Sequence, residues 1–280
     1  MYSRRIRKLT EAQRDYLRNV PILVYHKIRP QKELGVTTVH PQLFTRHVQW
    51  LQDNGFQTVT LQQIMDTPIE MLPPKPVVIS FDDGFSEVES IVAPILKTRG
   101  FVGVVFVISG FVGKVNAWDV NLGGMRAEHL SASQLNNLSR WGWEIGSHTI
   151  THRALPYLNS KSLWQELADS RVALENLVNT PVTTIAYPFG LVNRRVVQVA
   201  QRAGYTIGLA ATHASNRQKN ALILSRIPIF PWDSVSRLKR KIFFQHAFQD
   251  QLVTTLVRFP AIFSPIYQVL FRPFLWKSHF

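Results

Sequence analysis

The stretch Pro76-Val77-Val78-Ile79-Ser80-Phe81-Asp82-Asp83-Gly84-Phe85 runs an apolar strand straight into two adjacent carboxylates and a glycine. Neighbouring side chains of a strand point to opposite faces, so consecutive aspartates can serve one site only where the strand has ended and the chain turns. Two carboxylates at close range also repel unless a cation or a shared proton offsets the repulsion. The stretch therefore predicts a strand whose C-terminal end carries a site, and it asks for a metal.

A second pattern recurs on both sides of it. Amphipathic segments end at glycine and an aromatic residue follows at once, at Asn54-Gly55-Phe56, Arg99-Gly100-Phe101, Trp141-Gly142-Trp143 and Ala203-Gly204-Tyr205. Glycine just past a helix stops it by taking the left-handed conformation, and the aromatic opens the next strand. The pattern predicts strands near 21–26, 57–60, 76–81, 101–108, 143–147, 183–188 and 205–210, with helices near 41–54, 86–99, 131–141, 160–178 and 193–203. Short apolar strands alternating with amphipathic helices imply an α/β fold with a parallel sheet, either open or closed into a barrel. Sites on such folds lie at the C-terminal ends of the strands, where Asp82 and Asp83 fall.

A chain of 280 residues, 45% of them hydrophobic, can bury one large core, and one main domain is expected. There is no cysteine, which excludes disulfides, thiolate metal sites and cysteine nucleophiles. A metal must be held by His, Asp or Glu. The ligands to match Asp82 and Asp83 stand in Glu144-Ile145-Gly146-Ser147-His148-Thr149-Ile150-Thr151-His152, again at the end of an apolar strand. His148 and His152 are four apart, so one helical turn, or a tight loop mimicking it, brings both imidazoles to one metal. Ser147, Thr149 and Thr151 are candidates to orient the rings. Taken alone, each motif also fits ordinary turns and core histidines; their joint placement at strand ends favours the metal reading.

A third strand end, Ala186-Tyr187-Pro188-Phe189-Gly190, fixes the backbone around Phe189, which could aim an amide N–H at a developing oxyanion while the rings of Tyr187 and Phe189 line a groove. A plain strand-ending turn is the alternative.

These three segments, in this order, resemble the polysaccharide deacetylases of the NodB-homology type, carbohydrate esterase family 4. Tyr25-His26, the run 142–148 and Leu224-Ser225-Arg226-Ile227-Pro228 resemble the poly-N-acetylglucosamine deacetylase branch. The resemblance implies a distorted (β/α) barrel with about seven parallel strands, acting on N-acetylated glycans. It implies a divalent metal, Zn²⁺ by default with Co²⁺, Ni²⁺ or Fe²⁺ also compatible, held by Asp83, His148 and His152. Asp82 is then the catalytic base and the Phe189 amide an oxyanion donor. Two departures stand out: Ala186 replaces an arginine that positions the base in many members, and no late histidine supplies the general acid. His26 is the first substitute and His213 the second. The competing class is a carbohydrate-binding protein that kept the metal site and lost turnover.

The resemblance divides the chain into a basic N-terminal extension (1–19), a deacetylase domain (20–235) and a basic, aromatic C-terminal extension (236–280). The formal net charge of +14 makes an anionic partner plausible, but the basic clusters lie outside the catalytic pattern and no nucleic-acid motif interrupts it, so no nucleic acid is expected. The run LVTTLVRFPAIFSPIYQVLF over 252–271 is apolar but broken by Arg258, Pro260, Pro265 and Gln268. It reads either as a segment lying in the interface of an anionic bilayer or as an extension packed on the barrel. The N-terminal residues lack an apolar core typical of a secretion signal, so the expectation is a cytoplasmic protein peripheral to the inner membrane face, with an extracytoplasmic location by another route as the alternative. Oligomeric state is not legible.

Overall fold

At Gly204 the chain leaves a helix with φ 99°, and Gly55, Gly100 and Gly142 sit at the other three glycine–aromatic junctions with φ between 67° and 84°. The punctuation read from the sequence is therefore the real one. The computed structural model describes residues 9–31, 36–116, 127–210 and 220–243. In chain order the elements are α1 (Glu11–Asn19), β1 (Ile22–Tyr25), β2 (Lys27–Ile28), β3 (Thr38–Val39), α2 (Pro41–Asp53), β4 (Gln57–Thr58), α3 (Leu61–Asp66), β5 (Pro76–Phe81), α4 (Ala93–Lys97), β6 (Val104–Val107), α5 (Ala132–Arg140), β7 (Glu144–Ser147), α6 (Ser160–Val178), β8 (Thr184–Ala186), α7 (Arg194–Ala203), β9 (Ile207–Ala210), β10 (Leu224–Ser225), β11 (Ile227–Pro228) and α8 (Val235–Phe243).

The main sheet runs β10-β9-β8-β7-β6-β5-β1-β11, and β4 pairs with the start of β5. Every pairing in it is parallel. Its two outermost strands are halves of one stretch, residues 224–228: Leu224 and Ser225 pair with β9, and Ile227 and Pro228 with β1. One segment thus bridges both edges and closes a barrel of seven staves, with Arg226 at the crossing. This agrees with the barrel expected from the resemblance.

Strand alternation sorts the core into two parts. Ile22, Val78, Val104, Phe106, Ile207 and Leu209 form an interior cluster with Leu17 of α1 and Leu61, Ile64 and Met65 of α3, which plug the end of the barrel where the strands begin. The opposite strand faces, including Leu23, Ile79, Phe81, Val105 and Ile185, pack against the surrounding helices. Helix α1 is fixed by a capping box between Thr10 and Gln13, and the Gln13 amide donates to the Ile64 and Met65 carbonyls that end α3. Leu17 keeps 1% exposure, so the second half of the N-terminal basic extension contributes to the core.

Helix α8 buries Leu238 and Ile242. Its Lys241 donates to Asp233 at 2.6 Å and to the Pro228 carbonyl at 2.8 Å. The Asp233 carbonyl accepts from His47 Nε2 at 2.6 Å, which leaves His47 Nδ1 to accept from the Tyr25 hydroxyl at 3.1 Å. Among the described residues no helix is long and apolar enough to cross a membrane; the 252–271 run lies outside the described residues.

Lys241→Ala leaves the Asp233 carboxylate, 1% exposed, without its cation. Removing one partner of a buried pair costs about 3–5 kcal/mol, and urea unfolding should show a loss of that order. An unchanged midpoint would mean that α8 does not anchor the barrel.

Candidate active site and metal centre

Inward-facing positions of β5 continue through Ser80 to Asp82, whose N–H still follows the ladder, donating to the Tyr25 carbonyl at 3.0 Å. Asp83 then takes φ 72°, a left-handed conformation that an L-residue adopts at a cost. Gly84 follows with φ 71°, and a Cβ there would stand 3.3 Å from the Val107 backbone. This turn brings two neighbouring carboxylates to one place. Asp83 Oδ1 lies 3.5 Å and Asp82 Oδ2 4.0 Å from the same atom, His148 Nε2.

His148 extends β7, with its N–H on the Val107 carbonyl at 2.8 Å. Its Nδ1 lies 2.7 Å from the Ala186 carbonyl, an atom that can only accept, so Nδ1 carries the proton and Nε2 is left to bind a cation. The four-residue spacing to His152 is not a helical turn: Thr149 has φ 69° and His152 φ 55°. The tight-loop version of the expectation is the one realised, with the two rings 4.8 Å apart. The bonds of Ser147, Thr149 and Thr151 run to the loop that carries the rings. Ser147 Oγ accepts from Thr149 N, Thr149 Oγ1 accepts from His152 N, and Thr151 Oγ1 donates to Glu166, so the hydroxyls hold the loop's backbone and its neighbours.

Asp83, His148 and His152 form the one cluster of metal-ligating side chains among the described residues, with ligand atoms within 4.8 Å of one another. Asp83 Oδ1 stands 3.5 Å from His148 Nε2 and 3.7 Å from His152 Nε2. Two ligands about 2.0–2.1 Å from a tetrahedral ion lie roughly 3.3–3.4 Å apart, so the donor set and its spacing fit a divalent ion such as zinc. Burial and the nearby charge of His148 hold the His152 pKa down at about 3, which keeps that imidazole in the neutral form a ligand needs.

Asp82 has a different partner. Arg226, from the segment that closes the barrel, grips its carboxylate with both guanidinium nitrogens at 2.6 and 2.7 Å. The guanidinium lies over the Phe106 ring, 5.9 Å from its centroid. Burial pushes the Asp82 pKa up, but the charges of Arg226 and His148 outweigh it and leave the carboxyl below its ordinary value. For Asp83, burial is likewise outweighed, by hydrogen bonding to His148 and the charge of His152. Arg226 is the residue that reading the sequence missed. It was visible only as part of Leu224-Ser225-Arg226-Ile227-Pro228, and pairing across 144 positions leaves no local signal. Ala186 offers its main-chain carbonyl to His148.

Phe189 has φ 58° and rests its ring on His152, with centroids 4.6 Å apart. The turn's own hydrogen bonds run from Gly190 N to Tyr187 O and from Leu191 N to Pro188 O, so they do not consume the Phe189 amide. Tyr187 is placed differently from the expectation. Just past β8, its ring is fully buried, its hydroxyl abuts Gly208 and the ring does not line an open groove. His26 follows β1 at the same end of the barrel, near enough for its charge to act on Asp82, Asp83 and His152. His213 lies outside the described residues.

The sequence profile for polysaccharide deacetylases matches residues 70–208. The chain is 31% identical over 215 residues to YxkH of Bacillus subtilis, provisionally named a polysaccharide deacetylase, spanning 76% of this chain and 72% of that protein. The chain belongs to the polysaccharide deacetylase family. As a family member it is also 25% identical over 211 residues to a poly-β-1,6-N-acetyl-D-glucosamine N-deacetylase of Staphylococcus aureus, covering 67% of this chain and 70% of that one. Its fold superposes on the Streptococcus pyogenes deacetylase PplD, solved in complex with acetate, with a TM-score of 0.68 and 26% identity over 80% of this chain and 97% of that one.

Metal content measured after dialysis against zinc separates the two aspartates. Asp83→Ala, His148→Ala and His152→Ala should each lose the bound ion, whereas Asp82→Asn should keep it. Loss in Asp82→Asn with retention in Asp83→Ala would reverse the two roles.

Proposed function

We propose that the chain is a metal-dependent hydrolase that removes acetyl groups from N-acetylated sugars of a polysaccharide, oligosaccharide or lipid-linked glycan. The observation that carries this reading is the Asp82–Arg226 pair set against the Asp83, His148 and His152 triangle. Membership of the family and the name of the Staphylococcus aureus relative support the substrate class. A divalent ion held by the triangle supplies Lewis acidity towards the amide carbonyl and towards water. Asp82, kept ionised by Arg226, takes the proton of the attacking water. The Phe189 amide donates to the oxyanion, a contribution of about 3 kcal/mol for a donor of this kind. His26 returns a proton to the nitrogen as the C–N bond breaks, giving acetate and a free amine. The competing reading, a sugar-binding protein without turnover, drew half its force from the missing arginine. The pairing of Arg226 with Asp82 weakens that half.

Acetate release from N-acetylglucosamine oligomers by the metal-loaded protein is the direct test, and Asp82→Asn should lower it by about 10²–10⁴-fold, the usual worth of a general base. No acetate from any N- or O-acetylated glycan, with sugar binding unchanged in Asp82→Asn, would establish the binding protein instead. The pH profile tests the pair. A base works above its pKa, and Arg226 holds that pKa down against burial. Arg226→Met should therefore move the acidic limb of the rate profile to higher pH, and an unmoved limb would remove Asp82 from the role.

The reading extends to an anionic membrane surface. Arg237, Lys239 and Arg240 lie exposed on the outer side of α8, ahead of the apolar and aromatic run at 252–271. Each Lys or Arg at such a surface contributes roughly 1 kcal/mol. Because α8 is anchored through Lys241, the test is charge reversal and not truncation. Arg237→Glu, Lys239→Glu and Arg240→Glu together should abolish sedimentation with anionic vesicles while soluble oligomers are still deacetylated; undiminished sedimentation would rule out docking through this face.

A further inference from the structure

The loop between the two histidines has no helical hydrogen bonds to hold it, yet His152 must return to within 3.7 Å of Asp83. Besides the hydroxyls of Ser147 and Thr149, a carboxylate from outside the barrel holds it. Glu166, 5% exposed on α6, points its carboxylate into the loop. Its Oε2 accepts from both Ile150 N and Thr151 N at 2.9 Å, and its Oε1 accepts from Thr151 Oγ1. The carbonyls of the same peptides are taken from the other side: Ser109 N donates to Thr149 O and Gly110 N to Ile150 O, both at 3.0 Å. A Cβ on Gly110 would stand 2.5 Å from the Ile150 oxygen, so this clamp closes only on a glycine. The loop is gripped on both faces, and His152, in a left-handed conformation, is the next residue along.

We infer that Glu166 is a positioning residue for the metal centre: by accepting both loop amides and the Thr151 hydroxyl, it pre-forms the conformation in which His152 faces Asp83 and His148, and so sets the affinity for the ion. The inference rests on the metal reading above. Without Glu166, two amide donors in the loop lose their acceptor, and the left-handed conformations at Thr149 and His152 keep only the Ser147 and Thr149 hydroxyls to hold them. The cost then falls on binding, because the ion must reorganise the loop before it gains its third ligand. Residues that orient metal ligands from behind typically change affinity by about 10–100-fold when altered.

The test titrates Zn²⁺ into the metal-free full-length protein against a chromophoric chelator, with Co²⁺ absorbance as a second readout of the ligand field. Glu166→Gln can keep all three bonds, its oxygen accepting the two amides and its NH₂ donating to the Thr151 hydroxyl, and should bind within about threefold of wild type. Glu166→Asp keeps the charge but withdraws the acceptor by one methylene, and should weaken Zn²⁺ binding by about 10-fold or more. Glu175→Ala is the control for a purely structural loss on the same helix. Its carboxylate pairs with Arg171 and accepts from Val182 N, away from the loop, so it should lower the melting temperature and leave the Zn²⁺ affinity alone. Wild-type affinity in Glu166→Asp overturns the inference, as does Glu166→Gln weakened as much as Glu166→Asp. A wild-type protein that binds no Zn²⁺ or Co²⁺ would instead sink the metal reading beneath it.

Discussion

The buried ion pair between Asp82 and Arg226 ties the architecture to the chemistry. Two charges with 4% and 7% side-chain exposure persist inside a barrel because each offsets the other through a bidentate contact. Arg226 sits where one chain segment changes partner from β9 to β1. The act that closes the barrel therefore delivers the guanidinium to its interior. If the segment left either edge, Asp82 would be an uncompensated buried carboxylate, and the desolvation penalty would push its pKa up until it no longer accepted protons at neutral pH. Closure of the fold and the charge balance at Asp82 depend on the same residue.

Backbone strain is distributed in keeping with this. The described non-glycine residues with positive φ are Asp83, Thr149, His152, Phe189 and Asn179. Asn179 caps the end of α6 in the usual way for asparagine. The other four belong to the three segments around the site. Each such residue costs on the order of 1–3 kcal/mol and persists only where its surroundings over-determine it. At Asp83 the surroundings are the close approach of Gly84 to Val107, and at Thr149 and His152 they are the carboxylate of Glu166 and the hydroxyls of Ser147 and Thr149. The remainder of the barrel, made of ordinary strands and helices, absorbs the cost.

Much of this could be read from the sequence because it was encoded locally. A glycine followed by an aromatic residue marks a helix end whatever lies elsewhere, and the helices α2, α5 and α7 and the strands β4, β6, β7 and β9 fall beside the junctions so marked. The Asp-Asp-Gly and His-x-x-x-His motifs were legible for the same reason. What escaped depends on distant partners. The strands β10 and β11 have two residues each and no periodicity, and they exist only because two sheet edges await them. Helices α1 and α8 carry many charges and look like solvated extensions until α3 offers its carbonyls to Gln13 and Asp233 its carboxylate to Lys241. Tyr187 was misplaced for a subtler reason: a strand end has two faces, and only the register of β8 against β9 shows that the tyrosine turns outward.

Two adjacent aspartates can do different work because the fold gives them different counter-charges. Asp82 is neutralised in place by Arg226, so it has little left to offer a cation and is free to act on a proton. Asp83 faces two imidazoles, one with its Nδ1 proton held by the Ala186 carbonyl and the other kept neutral by burial and by the charge of its neighbour. With both rings neutral, the form in which imidazoles bind a cation, that half of the site would carry a net charge of −1. A dication seated there leaves it at +1, the sign that favours an oxyanion developing beside the Phe189 amide and disfavours a free amine that has taken up a proton. The repulsion between neighbouring carboxylates is thus eased separately, at Asp82 by a fixed guanidinium and at Asp83 by two imidazoles that could share a cation with it. That separation gives two adjacent carboxylates on one turn of the chain different electrostatic surroundings, as the roles proposed for them require.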